Sequence, residues 1–287
     1  MKIKKLLINL LAVVMMCASA LCFTACEELV TVEVKFEAYD YENSRMFEDE
    51  EVTLTVQLYR HLAKETVDSI VEHVNNGLYN NAVVYKFTDK NKTQFMMGDL
   101  RYDEQGNIVY VPAPEIKGEF ASNGVVGSNL KVTKGSVGIW RTGYACETGL
   151  VVSSQSRNTG RATWFIPTEA NSIYDGYVCV FGQIDLESDA SENLYGAVEQ
   201  IFAEEERFIN YEIYFTGEYD QTKPNENYGL SFNIIEESQF DEDEIEDLFV
   251  ADVNKQELTM YNHYTISVPV KLGNGNYALK VASVTVK

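Results

Sequence analysis

From Val30 to Tyr39, and again from Val52 to Tyr59, apolar and polar side chains alternate for most of the run. Successive strand residues point to opposite faces, so a period of two suits a half-buried strand and no helix. The same signature, or a short apolar run between turn residues, returns at Val83–Phe87, Gln94–Met97, Val137–Trp140, Ala162–Ile166 and Tyr177–Ile184. Further strands are predicted at Ile209–Phe215, Gly229–Ile235, Tyr264–Val270 and Tyr277–Val286. Three stretches break the pattern. In Leu62–Val74 the residues Leu62, Val67, Ile70, Val71 and Val74 share one helical face, and Gly77 supplies a stop. Ser191–Phe202 gathers Leu194, Val198, Ile201 and Phe202 in the same way. A short helix at Ser238–Phe249 carries the acidic run Asp241–Asp247 as a solvated face. Arg101–Ser136, broken repeatedly by Gly and Pro, reads as loop. A β-rich body with two or three helices predicts a closed barrel or sandwich rather than a parallel α/β sheet.

The N-terminus has a different logic. Lys2, Lys4 and Lys5 precede an apolar run from Leu6 to Phe23, the arrangement of a secretory signal rather than a membrane span. Phe23-Thr24-Ala25-Cys26 resembles a bacterial lipobox, with phenylalanine where that family usually has leucine. The resemblance implies cleavage before Cys26 and a lipid on its thiol. The protein would then sit at the cell membrane, lipid-anchored on the extracytoplasmic face. An ordinary cleaved signal ahead of a chance cysteine is the alternative.

Removing residues 1–25 from the 287 leaves 262, enough for one large domain or two small ones. Three of the 23 basic residues and none of the 44 acidic ones lie in the leader, so the mature charge would be −24. Such a field repels nucleic acid and anionic headgroups, leaving lipid at Cys26 as the contact with the membrane. With Cys26 acylated, Cys146 and Cys179 are the one possible disulfide pair, and their pairing stays open. Cys179, inside Val178-Cys179-Val180-Phe181, reads as a small buried hydrophobe. The histidines His61, His73 and His263 are scattered, so neither a metal nor a cofactor is expected.

Several segments, in order, resemble the cyclophilin-type peptidyl-prolyl isomerases. Val52–Tyr59 with Ala63-Lys64-Glu65-Thr66 is similar to that family's opening strand and "P-K-T" turn, without the proline. Tyr79–Phe87 stands where the family has "Y-x-x-x-x-F-H-R-V", and Gln94–Asp99 where it has "F-M-x-Q-G-G-D". Gly135–Ile139 resembles "G-x-L-(S/A)-M", Asn158–Ile166 resembles "N-x-x-x-S-Q-F-F-I", and Asp175–Gly182 resembles "D-G-x-x-x-V-F-G". The shared order and spacing over about 150 residues carry the resemblance. It implies a mainly β, closed eight-stranded barrel capped by two helices, with a long insertion before the last strand. The layout is then a leader at 1–25, a barrel from 26–207 plus 276–287, and an acidic insertion or small C-terminal subdomain at 208–275.

An X-Pro bond rotates slowly because rotation breaks amide resonance, a barrier of about 20 kcal/mol. A catalyst must seat the proline ring in an apolar pocket and bring a donor to the prolyl nitrogen, which is electrostatic stabilisation without a nucleophile. By the resemblance, the family arginine falls on Lys86, a charge without the planar fork. The family glutamines fall on Met96 and Thr163, the tryptophan on Ile173 and the histidine on Val178. Phe165 is retained. Arg141 could supply a guanidinium from another direction. Lys86 and Arg141 are thus the candidate catalytic cations, with Phe165, Met96, Met97, Thr163 and Trp140 as the candidate peptide-binding set. The resemblance implies a membrane-anchored extracytoplasmic isomerase of weak or atypical activity that acts on proline-containing polypeptides during folding of exported proteins. The alternative is an inactive cyclophilin-like lipoprotein that binds a peptide or a protein partner. A third reading makes the acidic insertion the working part of a surface-interaction lipoprotein.

Overall fold

A computed structural model describes residues 29–89, 92–111, 113–125, 130–141, 157–216, 231–236, 238 and 264–287. The leader, Cys26, Cys146 and the helix expected at Ser238–Phe249 with its acidic run lie outside these residues, Ser238 itself excepted. The chain opens with β1 (Leu29–Asp40), the two-residue β2 (Arg45–Met46) and β3 (Thr53–Tyr59), followed by helix α1 (Lys64–Asn75). Strands β4 (Tyr85–Asp89), β5 (Lys92–Met97), β6 (Leu100–Tyr102) and β7 (Ile108–Tyr110) come next. After them run β8 (Ser136–Arg141), β9 (Gly160–Pro167), β10 (Cys179–Ile184) and helix α2 (Asp189–Phe202). The described chain ends with β11 (Phe208–Thr216), β12 (Ser231–Glu236), β13 (Tyr264–Pro269) and β14 (Leu279–Val286).

The helices begin where their first N–H groups find acceptors. Ala63 has no side-chain oxygen to cap α1, so Glu119 does it from a distant loop, accepting from Glu65 N (3.1 Å) and Thr66 N (2.7 Å). A carboxylate there also meets the positive end of the helix dipole. Ser188 caps α2 locally by accepting from Ser191 N. Gly77, at φ +69°, follows the last turn of α1 and lets the chain leave in the left-handed region.

The expected strands are present, while the expected closed eight-stranded barrel is not. One antiparallel sheet of 12 strands runs in the order β12-β11-β13-β4-β5-β9-β8-β10-β3-β1-β14, with β2 against β1. Closure would need a ladder between β14 and β4. Instead β13 takes the outer edge of β4 through Ser267↔Lys86. Strand β14 reaches only the chain just before β4, by the single bridge Val83↔Lys280 and the backbone bonds Val281 N–H to Ala82 O (3.0 Å) and Asn81 N–H to Ala282 O (3.4 Å). Strands from region 208–275 therefore extend the sheet where a closed barrel would seal. Arg101–Ser136, expected to be loop throughout, also holds a small ribbon in which β6 pairs with β7.

Two cores result. The inward faces of β1, β3, β5, β8, β9 and β10 pack with the apolar stripes of α1 and α2 around Trp164, which is wholly buried. Its indole Nε1–H donates to Tyr79 Oη (3.0 Å), and that hydroxyl donates to Ala162 O (3.0 Å), so this buried polar pair is satisfied. The second core lies on the opposite face of β4, β5, β9, β8 and β10, and includes Tyr85, Met96, Phe165, Tyr174, Ile266 and Val268.

Candidate functional site

The second face is where the resemblance puts the proline pocket. Along β9, alternation sends Ala162 and Trp164 into the main core and leaves Arg161, Thr163 and Phe165 on the other side. Phe165 stands in register with Met96 on β5, which faces Tyr85 on β4. Its other neighbour is Gly138 on β8, and any side chain there would meet the Phe165 ring at 2.3 Å. The glycine makes room for the aromatic floor.

That floor is covered. Phe165 is 0% exposed and Met96 1%. Trp140 and Tyr174 meet the Phe165 ring edge-on at 5.9 and 6.0 Å, and Trp140 is itself braced by Phe87 at 5.1 Å. Val178, at the family's histidine position, joins the same apolar cluster, whereas Ile173, at the tryptophan position, is exposed. The loops over the face are tied together: Asp175 accepts from Val132 N (2.8 Å), and Asn171 N donates to Val132 O (3.0 Å). Among the described residues two cavities lie away from Phe165, one of about 690 Å³ lined by Tyr102, Ile108, Tyr211 and Ile234, another of about 420 Å³ lined by Lys86, Tyr195 and Phe202.

The two candidate cations are not brought to Phe165. Lys86 follows Tyr85 on β4 and so faces the other way. Its ammonium donates to Phe202 O (3.3 Å) at the C-terminal end of α2 and lies over the Phe202 and Phe208 rings at 5.6 and 5.2 Å. A cation at a helix C-terminus is a structural pairing. Arg141 donates to Tyr177 O (2.7 Å) and stacks on Phe120 at 4.8 Å. Burial and the charge of Arg157 pull its guanidinium down to about 10. Met97 is likewise turned away, wholly buried in the main core. Of the candidate set, the structure brings together Phe165, Met96 and Trp140, with Thr163 one step along the same face.

Reading the sequence missed a charged group on this face. Arg161 lies two residues before Thr163 and four before Phe165, and strand alternation alone was enough to put all three on one side. Its guanidinium donates from Nη1 to Tyr110 Oη (3.0 Å) and from Nη2 to Glu115 Oε1 (3.2 Å). Beside it Asp99 is 3% exposed, with Tyr85 Oη donating to Oδ1 at 3.3 Å. Burial pushes the Asp99 carboxyl above the usual carboxylate range, opposed by Thr163, Tyr85 and the Arg161 charge. The Thr163 hydroxyl stands near that carboxyl but outside hydrogen-bond geometry. Gly98 sets Asp99 in place at φ +135°, where a β-carbon would lie 2.2 Å from Ala162 O.

Residues 45–208, more than half of the chain, match the family model for cyclophilin type peptidyl-prolyl cis-trans isomerase/CLD. The chain belongs to the cyclophilin-type peptidyl-prolyl cis-trans isomerase family. Among solved structures it is similar to a Cryptosporidium parvum cyclophilin type peptidyl-prolyl cis-trans isomerase, at 14% identity and a TM-score of 0.37, over 58% of this chain and 84% of that one. The same Cryptosporidium parvum protein solved in the presence of the dipeptide Ala-Pro matches over the same shares at 14% identity and a TM-score of 0.36. No curated protein matches the chain.

Proposed function

We propose that this chain is a membrane-anchored, extracytoplasmic peptidyl-prolyl cis-trans isomerase of slow turnover that acts on proline-containing segments of exported polypeptides. The observation that carries the reading is the row Tyr85, Met96 and Phe165 in register across three strands of a family member, an apolar row on one face of the sheet. Rotation about the prolyl bond calls for no cofactor, only an apolar seat and a donor. The lipid anchor at Cys26 rests on the lipobox-like Phe23–Cys26. The strongly acidic mature chain would stand off an anionic bilayer while tethered to it.

Slow turnover follows from the cover over Phe165, since a substrate must first displace Trp140 or Tyr174. The same burial favours a second reading, a binding module that keeps the fold and has lost the chemistry. A protease-coupled assay on a proline tetrapeptide separates the two. Slow but measurable acceleration supports the isomerase, and retained peptide binding without acceleration supports the module. Turnover at the level of a fully open site contradicts both. Mass spectrometry of the N-terminal peptide from the native host should find Cys26 acylated, and an unmodified N-terminus elsewhere removes the anchor.

A further inference from the structure

We propose that the cleft between the β6–β7 ribbon and the added strands β11, β12 and β13 is a second polypeptide site, which holds a proline-rich segment in the polyproline II conformation. The site is separate from the Phe165 face and does not depend on the isomerase reading. The cleft has a volume of about 690 Å³, and ligand sites usually fall between about 300 and 1,000 Å³. Half-buried apolar residues line it, Ile108 from the ribbon, Ile209 from β11 and Ile234 from β12, together with the buried Val268 of β13. The ribbon lies within residues 45–208, which match the family model, and the three strands lie almost wholly beyond them. The cleft therefore exists because the added strands dock where they do.

Two phenols line this cleft with no hydrogen bond to make. Tyr102 is 8% exposed and Tyr211 is half-buried, and among the described residues neither hydroxyl has a hydrogen-bond partner. A polar group set that deep ordinarily has one. Burial raises the Tyr102 phenol, and the Tyr277 and Tyr211 phenols add to the shift, so these hydroxyls lie near one another. Burial, then the Glu236 carboxylate, raises the Tyr211 phenol in the same direction. Both groups thus stay protonated and able to donate. The Tyr102 ring is also braced. It packs on Tyr277 at 4.0 Å, and Tyr277 is met by the ammonium groups of Lys271 and Lys280 at 4.8 and 4.9 Å. The donor is set before a ligand arrives, which lowers the cost of binding.

The rest of the lining decides the class of ligand. Its other side-chain polar groups already have partners: Glu236 accepts from Ser238 Oγ (2.7 Å), Asn107 Nδ2 donates to Asp103 Oδ2 (3.1 Å), and Lys271 Nζ donates to Gly106 O (3.4 Å). What the cleft offers is apolar surface and two hydroxyl donors. A sugar brings about as many donors as acceptors, and an ordinary peptide brings an N–H with each carbonyl, so either would bury donors without acceptors. An anion would meet Glu236 and the field of a chain whose net charge is −21. A proline-rich segment matches: its residues carry carbonyls but no N–H, and its rings are apolar. Polyproline II has no internal hydrogen bonds, so those carbonyls are open to Tyr102 and Tyr211. Its conformation is largely preformed, which suits an aromatic-lined groove.

The test uses the full chain in detergent and fluorescein-labelled hexaproline, with a Gly-Ser hexapeptide and hexaglutamate as controls, read by anisotropy. Hexaproline should bind and the controls should not. Tyr102→Phe and Tyr211→Phe keep the ring and remove the hydroxyl, so each should weaken binding about threefold to tenfold. Their thermal transitions should stay at the wild-type temperature, because no hydrogen bond of the fold is lost; a purely structural hydroxyl would move the melt and spare the affinity. Methyl NMR then locates the peptide: the Ile108 and Ile234 methyls should shift with hexaproline. If a variant fails to fold, these wild-type shifts decide. No binding of hexaproline, binding unchanged in both variants, or equal binding of either control overturns the proposal. A response confined to Met96 puts the peptide on the Phe165 face and overturns it as well. A chain that fails to accelerate a proline tetrapeptide but still shows the Ile108 and Ile234 shifts loses the isomerase reading and supports this site.

Discussion

Asp99 sits at the junction of the apolar floor and the polar end of the site, and its ionisation is costly. Burial raises its carboxyl, so the folded chain keeps that proton to higher pH than the unfolded chain does. The stability it contributes is complete below the ordinary value of about 3.9 and is lost as pH rises through the folded value. Asp99→Asn removes that loss. In urea melts the variant's stability relative to wild type should increase from about pH 4 to about pH 7, and a difference flat with pH would contradict the assignment. Phe165 gives a second check. If it is covered as described, Phe165→Ala costs about 3–5 kcal/mol, the range for a buried aromatic, whereas the floor of an open pocket would cost far less. Gly98→Ala should also unfold the chain at lower urea, since both the positive φ and the Ala162 carbonyl oppose a β-carbon.

The strands and both described helices were legible because their hydrophobic period was long enough to read. Strand β1 was expected at Val30–Tyr39 and runs Leu29–Asp40; α2 was expected at Ser191–Phe202 and begins two residues earlier at Asp189, directly after its Ser188 cap. The β6–β7 ribbon escaped because three-residue strands show no period, although the Asp103–Asn107 turn, with Asp103 accepting from the N–H groups of Gln105 and Asn107, was a usable sign. The site was less legible than the fold. Motif spacing placed Lys86 at the family's arginine, but spacing says nothing about which face a strand residue takes, and one residue decides it. The same rule, applied along β9, would have found Arg161. Strand β14 pairs with β1 over seven residue pairs and its loss would bare that edge. A chain ending before Leu279 should therefore lose its cooperative thermal transition, and a truncated chain that still melts sharply would contradict this role for β14.

For the whole molecule, the unexpected feature is what became of the barrel seam. Strand β13 continues the sheet past β4, so β11, β12 and β13 join the family body instead of standing apart from it. Their apolar residues Ile213, Ile266 and Val268 belong to the core that holds Phe165, which links the extra strands to the state of the site. Sequence patterning could list those strands but could not say where they dock, because docking depends on long-range pairing and not on local period. The account's central claim is that a proline peptide engages the Phe165 face and not the Lys86 side. Met96 and Met97 are adjacent in sequence and lie on opposite faces, so one labelled chain carries both a probe and its control. Methyl NMR of the full chain titrated with a proline tetrapeptide tests the claim directly. The Met96 methyl should shift and broaden while the Met97 methyl stays put; an unmoved Met96 under saturating peptide would contradict the account.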